Sequence, residues 1–249
     1  MDRFRDKTVV VTGAGSGIGQ AIALRLVNEG AFVLGIDINE DGLKQTQEAA
    51  SYPERVSIAV VSVTDEQLVT EKVNEYVSLQ GRLDVLVNAA GILRASPTIN
   101  TSLEQFRLVI EINLIGTFLM CRICLPHLII TKGNIVNIAS TSAFFGPAYM
   151  AGYAASKGGV VALTKSLARE YILEGVRANA VAPGGIDTPL ITDMEWPKET
   201  NFALFDHTKL PNERIGKPEE VAGVVAMLAS QDGSYINGEV IRIDGGTHS

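Results

Sequence analysis

The sequence predicts an α/β fold: a doubly wound, parallel, seven-stranded sheet with helices on both faces. Three observations carry that expectation. Short runs of apolar, often β-branched residues alternate with segments of helical period from one end of the chain to the other. Those runs are continuously apolar rather than alternating, so both faces of the sheet must be covered. The chain has 249 residues, of which 46% are hydrophobic and 20% charged, enough for one sizeable core.

Taken in order, residues 7–12 (Lys-Thr-Val-Val-Val-Thr) form the first strand. Residues 17–29 follow as a helix, with Ile18, Ala21, Ile22 and Leu26 at helical spacing. A second strand over 31–36, a helix over 40–50 and a third strand over 56–61 come next. Thr64 followed by Gln67 has capping-box spacing and opens a third helix. Residues 83–87 are the fourth strand. Ser102 and Gln105 repeat that spacing at the head of a long helix to about Leu128, bent or closed by Pro126. Residues 133–139 form the fifth strand, 150–173 a helix and 177–182 the sixth strand. Pro218-Glu-Glu starts a last helix, with proline at the first position and acids in the first turn. Residues 239–243 are the seventh strand. No linker or repeat interrupts this order, so residues 1–249 read as one domain. The exception to the alternation is 187–215, an aperiodic segment with scattered aromatics and Pro189, Pro197 and Pro211, with Pro218 just beyond. It reads as a lid or substrate loop.

Composition narrows the function. A net charge of −7 argues against a general nucleic-acid or anionic-membrane surface. No uninterrupted apolar run reaches the ~18–20 residues needed to span a bilayer, and the start of the chain has no secretory segment. A cytoplasmic protein acting on a small molecule is expected. Cys121 and Cys124 form a C-x-x-C inside an apolar helix with no second pair, so they read as core-filling side chains and no metal is expected.

Two motifs carry chemistry. Tyr153 and Lys157 stand four apart on a predicted helix and share a face, with Ser140 thirteen positions upstream of Tyr153. Tyrosine titrates near ~10, so use as a base near neutrality needs a depression of about 3–4 kcal/mol. A positive charge at ~4 Å in an effective dielectric of ~20 supplies about 4 kcal/mol. The pair reads as a general acid/base device. The second motif, Thr12-Gly-Ala-Gly-Ser-Gly-Ile-Gly19, joins the first strand to the first helix. Its glycines let a pyrophosphate approach the amides and positive end of the helix. Asp37, at the end of the second strand, can accept both hydrogen bonds of an adenosine ribose and would repel a 2′-phosphate. The glycine loop holds no Lys or Arg. The charge pattern favours NAD over NADP.

The glycine spacing, Gly13, Gly17 and Gly19, together with Asn88-Ala-Ala-Gly91, resembles the short-chain dehydrogenase/reductase family. The resemblance extends through Asp65, Asn113, Ser140, Tyr153 with Lys157 and Pro183-Gly184, and so covers the chain. It implies a Rossmann-like fold and a hydride transfer between NAD(H) and a CH–OH or C=O carbon. By the same resemblance Tyr153 is the general acid/base, Lys157 tunes it and holds the nicotinamide ribose, Ser140 binds the reacting oxygen, and Asn113 anchors a water. Cofactor contacts are implied for Gly13, Ser16, Gly17, Ile18, Gly19, Asp37, Val63, Asp65, Asn88, Ala89, Gly91, Pro183, Gly184, Ile186 and Thr188. Asn88 and Asn113 have a second reading as ties between backbone elements, Val63 and Ile18 as core, and Thr12 supports the turn. A homotetramer or homodimer is also implied; Gly158, Gly159 and Ala162 would let helices approach closely.

For substrate, Ser142, Phe144, Phe145, Tyr149 and Met150 lie between Ser140 and Tyr153, and the lid adds Leu190, Met194, Trp196, Phe202 and Phe205. This set suits an apolar or cyclic alcohol. Arg94 is placed to clamp a carboxylate or to stay solvated. Alternatives to a general alcohol dehydrogenase are a 3-oxoacyl-thioester reductase, a dihydrodiol-type dehydrogenase resembling dihydrodihydroxybenzoate dehydrogenases around 86–94, and a nucleotide-sensing scaffold on the same fold. The last predicts loss of Tyr153 or Lys157, and both are present.

Overall fold

The computed structural model describes residues 2–208 and 214–248. Among them, seven strands form one parallel sheet in the order β3-β2-β1-β4-β5-β6-β7. The strands are β1 Thr8–Thr12, β2 Phe32–Asp37, β3 Val56–Val60, β4 Val85–Asn88, β5 Asn134–Ile138, β6 Arg177–Pro183 and β7 Val240–Ile243. The helices are α1 Gly17–Asn28, α2 Glu40–Ala49, α3 Glu66–Gln80, α4 Leu103–Ile110, α5 Gly116–Thr131, α6 Ser142–Phe145, α7 Ala151–Glu170, α8 Pro189–Thr192 and α9 Pro218–Ala229.

The pleat of β1 explains why its run is apolar throughout. Val9 and Val11 pack with Ile22 and Leu26 of α1 and Val221 and Val225 of α9. Val10, between them, points the other way to Val73 of α3, Met120 and Leu128 of α5 and Leu167 of α7. Each such side chain contributes about 1.5–3 kcal/mol on burial, which no polar residue could replace at these positions. Strand order reverses between β1 and β4, so the chain leaves both strands in opposite directions and a crevice opens at their carboxyl ends.

Four expectations need correction. Asp65, not Thr64, caps α3: its carboxylate accepts from the Leu68 amide at 3.0 Å, while the Thr64 hydroxyl is taken by Ser62. Pro126 neither closes nor interrupts the long helix, which runs on to Thr131; the irregularity lies earlier, in a π-helical turn at Glu111–Ile115. The segment 187–215 is not wholly irregular, since α8 and a 3₁₀ turn, Phe202–Thr208, lie within it; Pro211 is outside the described residues. Finally, the continuous helical stretch Leu103–Thr131 is long and apolar enough to cross a membrane, although 56% of its most apolar part is buried inside the protein. Cys121 and Cys124 are buried on that stretch and burial pushes the Cys121 thiol up to about 12, as suits core side chains.

Candidate active site

The site starts with how the chain enters α7. Tyr149, two residues before the helix, adopts φ 63°, a left-handed conformation that a bulky side chain avoids. Its surroundings hold it there. The Ser96 amide donates to the Tyr149 carbonyl at 2.8 Å, the Asn201 amide donates to its hydroxyl at 3.2 Å, and its ring stacks on Phe205. From this kink the chain enters α7, and about one and two turns later Tyr153 and Lys157 are buried, the lysine against the end of β5.

Lys157 Nζ donates to the Ile138 carbonyl at 2.6 Å and lies 5.8 Å from the centre of the Tyr153 ring. Ser140 lies just beyond β5. Its oxygen accepts from the Ser142 amide at 3.1 Å, and its hydroxyl is close enough to the Tyr153 phenol to favour the phenolate. Burial is the dominant influence on both titrating groups. It pushes the Tyr153 phenol up, with the neighbouring Ser140 hydroxyl offsetting part of that rise, and it draws the Lys157 ammonium down to about 8. The lysine charge therefore does not act on the phenol alone: desolvation disfavours both charged forms.

Asn113 sits in the π-helical turn, fully buried. Its carbonyl oxygen accepts from the Ile92 amide at 2.8 Å, and its amide donates to the Ile92 carbonyl at 2.9 Å and to Ser156 Oγ at 3.0 Å. It thus ties the loop after β4 to α7. A Cβ placed on Gly91 would stand 3.2 Å from Asn113 Oδ1 and 3.6 Å from Lys157 Nζ, so the three meet at one point.

The nucleotide end is a glycine-floored cleft. Gly13 has φ 68° and a Cβ there would stand 2.8 Å from the Ala90 nitrogen; Gly19 passes so close that its Cβ would stand 2.0 Å from the Gly13 carbonyl oxygen. Thr12 holds the neighbouring loop, its hydroxyl oxygen accepting from the Ala89 and Ala90 amides at 3.1 Å. Asp37 accepts from the Gly15 and Asn39 amides, both at 2.9 Å, while Asn39 rather than Asp37 caps α2. The first turn of α1 carries no acid and Ser16 makes no side-chain cap bond. Uncapped amides at a positive helix end, set on glycine backbone, fit a dinucleotide pyrophosphate.

Two cavities share Ile18, Ala89, Gly91, Thr188 and Leu190 and so form one continuous cleft. Gly13, Ser16, Gly17, Gly19, Asp37 and Val63 line the nucleotide end. Ser140, Ser142, Phe145, Tyr153, Lys157, Pro183, Gly184 and Ile186 line the other, a cavity of about 230 Å³ closed over by Met150, Met194, Trp196 and Phe205.

Some expected residues lie elsewhere. The Asn88 side chain turns into the sheet and donates to Asn137 Oδ1 at 2.8 Å, so its contact with a cofactor is not through its amide. The Asp65 carboxylate is engaged as a helix cap and lies outside the cleft lining, where Val61, Ser62 and Val63 stand instead. Tyr149 and Arg94 line an adjoining cavity that shares Leu93, Leu190 and Met194 with the catalytic one, Arg94 donating to the Leu93 carbonyl at 2.9 Å. Phe144 is exposed, and Phe202 packs on Trp196 and Phe205 behind the cavity wall.

Leu93, Pro147, Ile191, Thr247 and His248 line the catalytic cavity but were missed in the sequence. His248 stacks on Phe145 with ring centres 3.7 Å apart and pairs with Asp244 at 3.1 Å. One signal was available: ligands bind at the carboxyl ends of parallel strands, and Asp244–His248 directly follows β7.

Comparison with known proteins agrees with this geometry. A family model described as enoyl-(acyl carrier protein) reductase matches residues 13–248. A 3-oxoacyl-[acyl-carrier-protein] reductase of Thermotoga maritima is 41% identical over 247 residues, covering 98% of each chain. Meso-2,3-butanediol dehydrogenase of Serratia marcescens is 40% identical, covering 98% of this chain and 95% of its own. A crystal structure of levodione reductase superposes with a TM-score of 0.88 at 38% identity, covering 98% of both chains. A 3-ketoacyl-(acyl-carrier-protein) reductase from Brucella melitensis, solved with NADH, superposes at 0.89 with 30% identity, covering 99% of this chain and 100% of that one.

Proposed function

The chain belongs to the short-chain dehydrogenase/reductase family, and on that premise we propose that it is an NAD-dependent oxidoreductase acting on a secondary alcohol or ketone. The observation that carries the reading is convergence. Tyr153, Ser140 and Lys157 line one cavity that opens directly into the glycine-floored cleft. A nicotinamide bound across that junction supplies the hydride acceptor or donor. Ser140 holds the reacting oxygen beside Tyr153. The phenol gives its proton to that oxygen in reduction and, as phenolate, removes it in oxidation. Lys157 holds the nicotinamide ribose, and its ammonium favours the phenolate. The lid aromatics exclude water, so the hydrogen bonds made to the oxygen are stronger than in solvent.

Asp37 supports NAD over NADP: it faces the nucleotide end of the cleft, and its carboxylate would sit against a 2′-phosphate. The apolar cavity wall supports a small apolar or cyclic substrate. The reading includes one catalytic domain over 1–249 and a cytoplasmic, oligomeric enzyme. Reduction of a 3-oxoacyl thioester is a second reading, favoured by the identity to the Thermotoga relative.

Purified protein with NAD⁺ should generate reduced-nicotinamide absorbance on a panel of secondary alcohols, and Tyr153→Phe should lower kcat at least ~10³-fold, a loss within the usual range for removing a general acid–base group. Thermal shift should be larger with NAD⁺ than with NADP⁺, and Asp37→Ser should narrow or invert that order. Turnover surviving in Tyr153→Phe would overturn the mechanism. Acyl thioesters in the panel decide between the two readings.

A further inference from the structure

We infer that Asn137 and Thr164 are positioning residues for the proton-transfer site, acting through a buried hydrogen-bond chain that seats α7 on the sheet. The chain runs in one direction. Asn88 Nδ2 donates to Asn137 Oδ1 at 2.8 Å, Asn137 Nδ2 donates to Thr164 Oγ1 at 2.9 Å, and the Thr164 hydroxyl donates to the Val160 carbonyl at 2.7 Å. Asn88 and Asn137 stand opposite each other in the β4–β5 register. Asn137 and Thr164 are wholly buried and Asn88 nearly so. A chain of buried amide and hydroxyl dipoles in which each donor has its acceptor is stiff, and breaking one link leaves a buried donor unmet.

A threonine bonding back to the carbonyl four residues earlier is common in helices and by itself only fills a local acceptor. What sets Thr164 apart is where it touches the sheet. Thr164 and Lys157 are seven residues apart on α7 and so lie on the same face, two turns apart. They contact adjacent residues of β5: Thr164 takes the Asn137 side chain, and Lys157 Nζ takes the Ile138 carbonyl at 2.6 Å. Ser140 follows two residues later on the same backbone. Asn88 closes the arrangement from the other side, at the base of the Ala89–Gly91 loop that lines the nucleotide cleft. The height and rotation of α7 over β5 thus fix Tyr153 and Lys157 relative to Ser140. Drawing Lys157 back by ~1 Å from ~4 Å at an effective dielectric of ~20 weakens its hold on the phenolate enough to change the rate about fourfold.

This inference rests on the proposed function, and its test separates the two. Thr164→Val keeps the shape and removes the hydroxyl; Thr164→Ser restores it. Thr131→Val is the control, since the Thr131 hydroxyl ties the end of α5 to the Leu83 carbonyl at the far end of the sheet. Both valine variants should lose thermal stability. Only Thr164→Val should also lower kcat about threefold to tenfold with cofactor KM within about twofold, and shift the pH limb of kcat. Thr164→Ser should recover both.

Independently of turnover, lysine-selective NMR titration should find the Lys157 amine displaced from its wild-type midpoint in Thr164→Val and unmoved in Thr131→Val. If the wild type turns over nothing, the functional reading fails and the NMR titration alone decides this inference. Should Thr164→Val not fold, Thr164→Ala takes its place with the same expected results. A Thr164 variant that loses stability while kcat, pH limb and Lys157 titration match the wild type would overturn the positioning role.

Discussion

Lys157 is a charge held almost wholly out of water, 5% exposed at the wall of the catalytic cavity. Burial draws its titration from 10.5 down to about 8. Between those values the unfolded chain holds a proton that the folded chain has released, so stability contributed by this group rises as pH rises through about 8 to 10.5. Below that window the ammonium opposes folding in full, by about 3 kcal/mol at ~1.4 kcal/mol per unit. Lys157→Met removes that opposition but also the bond to the Ile138 carbonyl, a loss of about 1–2 kcal/mol. The variant should be inactive yet about 1–2 kcal/mol more stable than wild type at pH 7, with the advantage shrinking as pH rises from about 8 to 10.5. Urea unfolding at pH 7 and pH 10 checks both signs. An inactive variant less stable at pH 7 would show that the amine's contacts outweigh its desolvation. Such a gain on removing a functional group is the usual trade of stability for activity.

At the scale of elements, the glycine loop makes the sharpest demand. A Cβ on Gly19 would stand 2.0 Å from the Gly13 carbonyl oxygen and 2.5 Å from its carbon, both backbone atoms that no side-chain rotation can clear. Gly19→Ala should therefore displace the loop from α1, lowering stability by at least ~2 kcal/mol and abolishing nucleotide binding. Thermal melts with and without NAD⁺ read both effects, and a variant that keeps its NAD⁺ shift would sink the argument. This loop was legible in the sequence because glycine is a direct record of backbone geometry. The strands were legible for a similar reason: a run such as Thr8–Thr12 has both faces in apolar layers, and composition states that plainly. The π-helical turn at Glu111–Ile115 was not legible, because its hydrogen bonds differ from an α-helix only in register and the apolar pattern passes through it unchanged. Asp65 shows the same limit from another side. An acid beside a strand end reads equally as an adenine contact or as a cap, and the 3.0 Å bond from Leu68 to Oδ1 shows the cap, which spacing alone did not single out. His248 was missed because nothing periodic marks a turn closed by Asp244 through backbone and side-chain bonds.

At the scale of the whole molecule, the long helical stretch raises the question of its outer side. Leu103, Leu108, Ile115, Phe118 and Ile130 on α4, the π-helical turn and α5 remain substantially exposed although the opposite side packs in the core. Exposed apolar side chains gathered on one element mark an interaction surface more often than a free one. Gly159, expected to let helices of different chains approach, has its Cβ direction filled by Leu114 at 2.6 Å, so that glycine serves the seat of α7 on its own chain. Gly158 is different, with nothing nearer than the Ala143 carbonyl oxygen at 4.0 Å, and stays open to a second copy. If the proposed oligomer uses this surface, Ile115 and Phe118, three residues apart on one face, are its apolar centre. Arg122, whose guanidinium lies 5.8 Å from the centre of the Phe118 ring, also pairs with Glu66 and so keeps charge at the margin. Placing a carboxylate at that centre in both copies brings two buried like charges together. Phe118→Glu should therefore shift the protein to a smaller species in light-scattering chromatography at micromolar concentration and lower its melting temperature. The fold of each chain should survive, because Phe118 contributes nothing to the buried core. A wild type already monomeric, or a Phe118→Glu variant with unchanged mass, would leave this face solvated and move the search for the interface elsewhere.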